Sequence, residues 1–203
     1  LLPKSRRRVR AAAWRGTDQL PAMAGARMFL VRHGEAAAHW GQAADPGLSR
    51  RGREQADLAA ERLITCEAVQ NAELLTSPKA RARETAEVYA RRTEQRLVPA
   101  AAFNEIPAPV PLAFRREWLR AFMTGRWSDA TAPGVVAWRR RLLAALAARE
   151  QSAVVFTHFL VINAAVASAR GSDRVLQCWP ANGSVHEFEV AGGVLRYLRA
   201  GAE

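Results

Sequence analysis

The sequence predicts one α/β domain of three layers, with helices on both faces of a mostly parallel central sheet and an antiparallel C-terminal edge. Strand-like and helix-like segments alternate from residue 27 onward, which is typical of parallel α/β sheets. The length of 203 residues suits a single domain. The last two strand-like segments flank Ala191-Gly192-Gly193, and a glycine turn there predicts an antiparallel hairpin.

Each element follows from local patterning. Short apolar runs predict strands at 27–31, 73–76, 96–99, 153–157, 184–190 and 193–199. Helical spacing predicts helices at 50–64, 78–91, 111–123, 134–149 and 159–169. The first helix carries an apolar stripe that ends at Leu63. We expect Ser49 and Ser77 to cap the first two helices, with Pro78 at the first helical position.

Residues 1–26 read differently from the domain at 27–203. They are rich in Ala and Arg and lack hydrophobic periodicity, so we expect a disordered basic extension. Residues 1 to 28 hold seven basic residues and one acidic residue, or +6 of the formal +11. Met23 is a candidate natural start. The segment before it is then foreign to the native protein or an Arg-rich targeting segment, and we expect the former.

Composition excludes several protein classes. No apolar stretch is long enough to span a membrane, and the two cysteines lack metal-ligand spacing. We therefore expect buried thiols in a reducing compartment, the cytoplasm. The charge outside residues 1 to 28 favours anionic substrates but is too small for a nucleic-acid surface.

Two of the four histidines directly follow buried-strand patterns. His33 comes after the run 28–31, and His158 ends the run that begins at Ala153. Ligands of open α/β sheets bind beyond the carboxyl ends of strands, so both imidazoles should reach one crevice. Arg32 suits a phosphate clamp, and Gly34 would let the backbone approach the anion. We also expect the helix N-termini at 50 and 78 to donate amides.

Five segments then match a known pattern in order: 32–35, 45–56, 77–86, 103–106 and 155–158. They resemble the motifs of the histidine phosphatase superfamily, branch 1, the cofactor-independent acid phosphatase and phosphoglycerate mutase clan. Asn182-Gly183-Ser184 is similar to its closing strand. Arg-His-Gly alone is weak evidence for this family in an arginine-rich chain, whereas five matches in the right order are strong evidence.

The resemblance implies a role for each matching residue. His33 attacks phosphorus and becomes a phosphohistidine, while Arg32, Arg81 and His158 bind the transferred group. Glu105 protonates the leaving oxygen and then activates water. The resemblance implies no metal and no organic cofactor.

The chain also departs from the family pattern. Ala36 stands where many members have Thr or Ser, and His39 where they have Asn. We expect His39 to bind phosphate in place of the missing side chain. Phe159 replaces a common glycine and should narrow the pocket. Glu117 is a rival to Glu105 as the general acid.

The function expected from these residues is hydrolysis of a small phosphorylated metabolite, with a homodimer left open. The alternatives are a protein phosphohistidine phosphatase and, less favoured, a phosphoglycerate-type mutase. The segment 107–133 is the candidate cap, and it is short for the water exclusion that a mutase needs. A non-catalytic phosphate- or nucleic-acid-binding module is the alternative outside the enzymes.

Overall fold

The computed structural model describes residues 25–39 and 42–200. The predicted disordered extension lies outside this part, except for its last two residues, and the first strand begins at Ala26. The strands are β1 (Ala26–Arg32), β2 (Glu73–Thr76), β3 (Val98–Pro99), β4 (Ala153–Thr157), β5 (Val185–Ala191) and β6 (Val194–Ala200). The α-helices are α1 (Arg50–Ile64), α2 (Ala80–Thr93), α3 (Arg115–Thr124), α4 (Pro133–Ala147) and α5 (Phe159–Ala169).

The strands form a single sheet in the order β3-β2-β4-β1-β5-β6. The first four of these run parallel to one another, whereas β5 is antiparallel to both of its neighbours, β1 and β6. Arg32 at the end of β1 is level with Thr157 at the end of β4. The next residue of each strand is a histidine, so the sheet register itself brings the two imidazoles to one edge.

Helices cover both faces of the sheet. Along β1, Met28 and Leu30 pack in one core with residues of α4 and α5. Phe29 and Val31 point to the other face, into a core with residues of α1 and α2. This alternation follows from the two-residue period of a strand. The predicted three-layer α/β fold with an antiparallel C-terminal edge is confirmed.

Several predicted boundaries were wrong. Ser49 caps α1 as expected, with its side chain accepting from the amide of Gly52. However, α2 begins at Ala80, so Ser77 and Pro78 lie before the helix. The third helix begins at Arg115 because a 3-10 turn occupies Leu112–Phe114. The β3 strand has only two residues.

No helix in the described part of the chain is long and apolar enough to cross a membrane.

Candidate active site

The site lies where β1, β2 and β4 end. His33, Ser77 and His158 each follow one of these strands within a residue. The backbone amide of His33 donates to Thr157 O at 3.0 Å, and that of Ser77 donates to Phe156 O at 2.9 Å. The two imidazole centroids are 5.2 Å apart. Continuing ladder bonds thus fix the backbone beneath His33 and Ser77.

The proton on the His33 ring can be placed from its neighbours. Its Nδ1 lies 2.6 Å from Gly34 O, and a carbonyl oxygen only accepts, so Nδ1 carries the hydrogen. Its Nε2 then accepts from Arg81 Nε at 3.1 Å. Burial lowers the pKa of His33 well below its usual value, and the Arg81 guanidinium lowers it further. His33 is therefore a neutral imidazole whose Nε2 lone pair faces a cation.

Arg81 occupies the first turn of α2 and is 4% exposed. Its terminal nitrogens lie 3.6 Å from Glu105 Oε2 and 3.7 Å from Asp45 Oδ1. Two carboxylates and an imidazole fix the orientation of this buried guanidinium, and a fixed orientation favours phosphate binding. Its place on a helix gives it a rigid base.

His158 is fully buried, and a chain of hydrogen bonds leads away from its ring. Its Nε2 lies 2.7 Å from Ser77 Oγ, and that hydroxyl lies 3.1 Å from Asn104 Oδ1. The Asn104 atom also accepts from the amide of Glu105 at 3.0 Å, which identifies it as the oxygen. Ser77 thus donates to Asn104 and accepts from His158, so Nε2 of His158 carries a hydrogen.

The second nitrogen of His158 faces Glu105. Nδ1 has no hydrogen-bond partner among the described residues, yet it lies 3.5 Å from Glu105 Oε2. Burial lowers the pKa of His158 well below its usual value, and the neighbouring His33 lowers it further. Burial raises the pKa of Glu105, although Arg81 opposes this shift. A neutral imidazole beside a carboxyl with proton affinity suits proton transfer.

Glu117, the rival candidate, is exposed in the first turn of α3 and does not line the site cavity. Of the two candidates, Glu105 is the one that lies beside Arg81 and His158.

Arg32 reaches the site from the end of β1. Its Nη1 donates to Pro180 O at 2.6 Å, and its guanidinium carbon lies 5.2 Å from the Phe159 ring centroid. Its Nε is buried without a hydrogen-bond partner in the described chain. The side chain is thus anchored at one end and lines the cavity of the site.

The loop after His33 is held by close backbone packing. A Cβ on Gly34 would overlap Gly52 O, and a Cβ on Gly52 would overlap Glu35 O. The close neighbour of Gly34 is thus the first turn of α1, and its approach to an anion stays a prediction. Glu35 adds support because its side chain accepts from the Ser49 hydroxyl at 2.8 Å.

The helix ends also differ from expectation. The amide of Ala80, the first residue of α2, donates to Asp45 Oδ1 at 3.1 Å, and that of Gly52 in α1 donates to Ser49 Oγ. Protein side chains thus cap both predicted helix ends. Instead, α5 begins at the site, and its first residues Phe159 and Leu160 line the cavity.

A cavity of about 370 Å³ opens above these groups. Its lining includes Arg32, His33, Arg81 and Glu105, and also His39, which is exposed at the rim. The volume suits a small-molecule ligand. All of the predicted site residues except the buried His158 line this cavity directly.

Three of these groups also form a potential metal site. His33, Glu105 and His158 each offer a ligand atom, and these atoms lie within 4.8 Å of one another. Two imidazoles and a carboxylate are ligands that zinc accepts. However, Arg81 is hydrogen-bonded to one of them and 3.6 Å from another. A fixed cation there opposes a dication and favours an anion.

Sequence reasoning missed the residues that hold the site in place. Ser77 and Asn104 orient His158, and Asn182 donates its side-chain amide to His33 O at 2.8 Å. Thr85 accepts from the amide of Gly34 at 3.0 Å. Ser77 could have been found, because it follows a parallel strand as the two histidines do.

The comparisons with known proteins identify the family and the fold. The profile of the histidine phosphatase superfamily (branch 1) matches residues 28–202. No curated protein sequence matches the chain significantly.

Among solved structures, Bacillus stearothermophilus YhfR is similar at 23% identity and a TM-score of 0.70, over 85% of this chain and 95% of that one. A mycobacterial glucosyl-3-phosphoglycerate phosphatase complexed with VO3 has 21% identity and a TM-score of 0.64, with coverage of 88% and 98%. A putative alpha-ribazole-5'-P phosphatase from Escherichia coli K-12 has 18% identity and a TM-score of 0.67, with coverage of 87% and 96%. These similarities concern the fold.

Proposed function

The chain belongs to the histidine phosphatase superfamily, branch 1, a family of phosphatases, and from this premise we propose that it is a metal-independent phosphomonoesterase acting through a phosphohistidine on His33. The observation that carries the proposal is the pairing of Nε2 of His33, a neutral nucleophile, with the guanidinium of Arg81 at 3.1 Å. Substrate binding would draw Arg81 to the phosphoryl oxygens and free the lone pair.

In the first step, Nε2 of His33 attacks phosphorus in line, and the bond from phosphorus to the ester oxygen breaks. Glu105 gives its proton to the departing oxygen, which leaves as an alcohol. Arg32 and Arg81 surround the phosphoryl group, and their charges stabilise its oxygens in a partly buried setting. His158, whose Nε2–H donates to Ser77, turns its Nδ1 towards Glu105. The guanidinium groups provide neutralisation that other phosphotransfer sites obtain from Mg²⁺.

In the second step, the Glu105 carboxylate takes a proton from a water molecule while the oxygen of that water attacks phosphorus. The bond from phosphorus to Nε2 breaks and inorganic phosphate leaves. His33 is neutral again and Glu105 is again protonated, so the cycle closes without a net change in the protein.

The substrate class proposed is a small phosphorylated metabolite, because the cavity of about 370 Å³ is of small-ligand size. His39 at the rim is proposed as a further phosphate contact. The cytoplasm is the proposed compartment, because a chain with two cysteines has no disulfide framework of the kind typical of secreted proteins.

Trapping the intermediate tests this proposal. The protein is mixed with ³²P-labelled 4-nitrophenyl phosphate and quenched in alkali, where phosphohistidine survives. We expect label on His33, no label in His33→Asn, and accumulation of label in Glu105→Gln, because an activated leaving group needs no acid but hydrolysis needs the base. Turnover should persist after treatment with EDTA. Full turnover in His33→Asn, or its loss on chelation, would reject the proposal.

A phosphohistidine-bearing protein, used as a second substrate, distinguishes a protein phosphohistidine phosphatase from a phosphatase of small metabolites. A higher kcat/KM on that protein than on every small phosphomonoester would favour a protein phosphohistidine phosphatase.

A further inference from the structure

Part of the cavity lining is apolar and takes no part in the phosphoryl chemistry. Leu119 and Met123 line the cavity from α3, and Phe159 and Trp179 also line it. The two α3 residues are four apart and therefore share one helix face. An apolar wall thus stands beside the phosphoryl-binding groups, where the leaving group of a substrate must lie.

Trp179 is the most unusual member of this wall. It is 64% exposed, and its ring meets Phe159 edge to face at a centroid distance of 5.0 Å. Phe159 in turn lies under the guanidinium of Arg32. An exposed indole at the rim of a cavity gains stability when a ligand covers it. Trp179 therefore contacts Arg32, a proposed phosphate-binding residue, through the ring of Phe159.

Polar partners are scarce around this wall. Beyond the proposed phosphoryl-binding groups, Glu35, Asn182 and the indole N–H of Trp179 are the polar side-chain groups that line the described cavity. Glu35 accepts from Ser49 and Asn182 donates to His33, so few donors and acceptors remain for the hydroxyls of a sugar. Hydroxyls buried against the apolar lining would lose water without gaining partners, which is unfavourable. An aromatic ring has no hydroxyl groups, so it loses no such hydrogen bonds to water.

From this arrangement we propose that the enzyme selects phosphomonoesters whose alcohol carries an aromatic ring, with Trp179 and Phe159 as specificity-determining residues. Aromatic side chains and a methionine thioether each favour contact with a ring beyond the area they bury. The proposal rests on the proposed phosphomonoesterase function and refines its substrate class.

The test compares esters with equivalent leaving groups. Benzyl and 1-naphthylmethyl phosphate are set against ethyl phosphate and glycerol 3-phosphate, so that alkoxide departure is similar throughout. We expect kcat/KM to be about tenfold higher or more for the aromatic esters, the size of one good aromatic contact. Trp179→Ala should reduce the benzyl-to-ethyl ratio about tenfold, whereas Trp179→Phe should retain most of it.

Phe114→Ala is the matched control, because Phe114 is 59% exposed and does not line the cavity. It should leave the ratio unchanged. An equal kcat/KM for aromatic and aliphatic esters, with His33-dependent turnover, would overturn the specificity and leave the phosphatase function intact. Absence of His33-dependent turnover on all four esters would instead reject the phosphatase function. Calorimetric binding of benzylphosphonate and ethylphosphonate reports the preference without turnover, and equal affinities would also overturn it.

Discussion

Ser77 Oγ lies 2.7 Å from Nε2 of His158, and this contact determines which nitrogen of the imidazole carries the proton. Because Asn104 Oδ1 takes the serine hydrogen, the serine oxygen can only accept from the ring. The ring thus presents Nδ1 to Glu105 and keeps one orientation. Ser77 contacts no proposed reacting atom, yet it determines the orientation of His158.

Replacement of Ser77 by alanine should slow the chemical step. We expect Ser77→Ala to lower kcat about 10- to 100-fold with a small change in KM, the effect of losing one buried hydrogen bond. Steady-state kinetics measure this, and a thermal melt monitors folding. Ser128→Ala is the control, since Ser128 bonds only to Asp173 away from the site. A kcat within twofold of the parent would contradict the assigned orientation.

The pH dependence of kcat/KM should reflect two displaced groups. His33 must be neutral, and its lowered pKa moves the acid limb below the ordinary histidine range. Glu105 must be protonated for the first step, and its raised pKa moves the alkaline limb above the ordinary carboxyl range. Activity is therefore present between the two pKa values and falls outside them.

Glu105→Gln isolates the alkaline limb. The parent should show the fall at higher pH with benzyl phosphate, whose departure needs an acid. In single-turnover experiments with 4-nitrophenyl phosphate, the variant should keep the acid limb and show no such fall. Persistence of that fall in the variant would assign it to another group.

Contact between the loop and α1 should make Gly52 intolerant of a side chain. Gly52→Ala would place a Cβ against Glu35 O, and we expect a loss of about 1–3 kcal/mol in the free energy of unfolding together with reduced activity. Gly134→Ala is the matched control in α4, because the nearest atom to its new Cβ, Pro107 Cγ, is 3.9 Å away. Urea denaturation measures both; equal stabilities would show that the loop can shift freely.

Buried His186 should make the fold less stable in acid. Burial lowers its pKa to about 4, while the unfolded chain retains about 6.5. The unfolded state therefore binds the proton first. The stability is fully present above pH 6.5 and is lost as the pH falls towards 4, by about 3 kcal/mol.

The variant His186→Phe removes this titration. The difference in unfolding free energy between parent and variant should change between pH 6.5 and 4 and stay constant at higher pH. His33 and His158 titrate in both proteins, so their contribution cancels in that difference. A constant difference across the whole range would refute the role of His186.

The sequence alone determined the fold class and the main candidates for the reaction. A strand is short and repeats every two residues, so the runs before His33 and His158 are readable without tertiary contacts. Their shared edge follows from the parallel sheet. The ordered motifs identified Arg81 and Glu105 as candidates, although nothing local distinguished Glu105 from Glu117.

Tertiary structure alone decided how those groups are held and what surrounds them. Ser77 was expected to cap α2, yet its hydroxyl orients His158 across 81 residues of sequence. Gly34 packs so closely against Gly52 that neither position has room for a side chain. Trp179 carries no signal in the chain, and only the fold brings it against Phe159. Propensity and spacing describe neighbours in sequence, whereas hydrogen-bond direction and close approach depend on residues that meet only after folding.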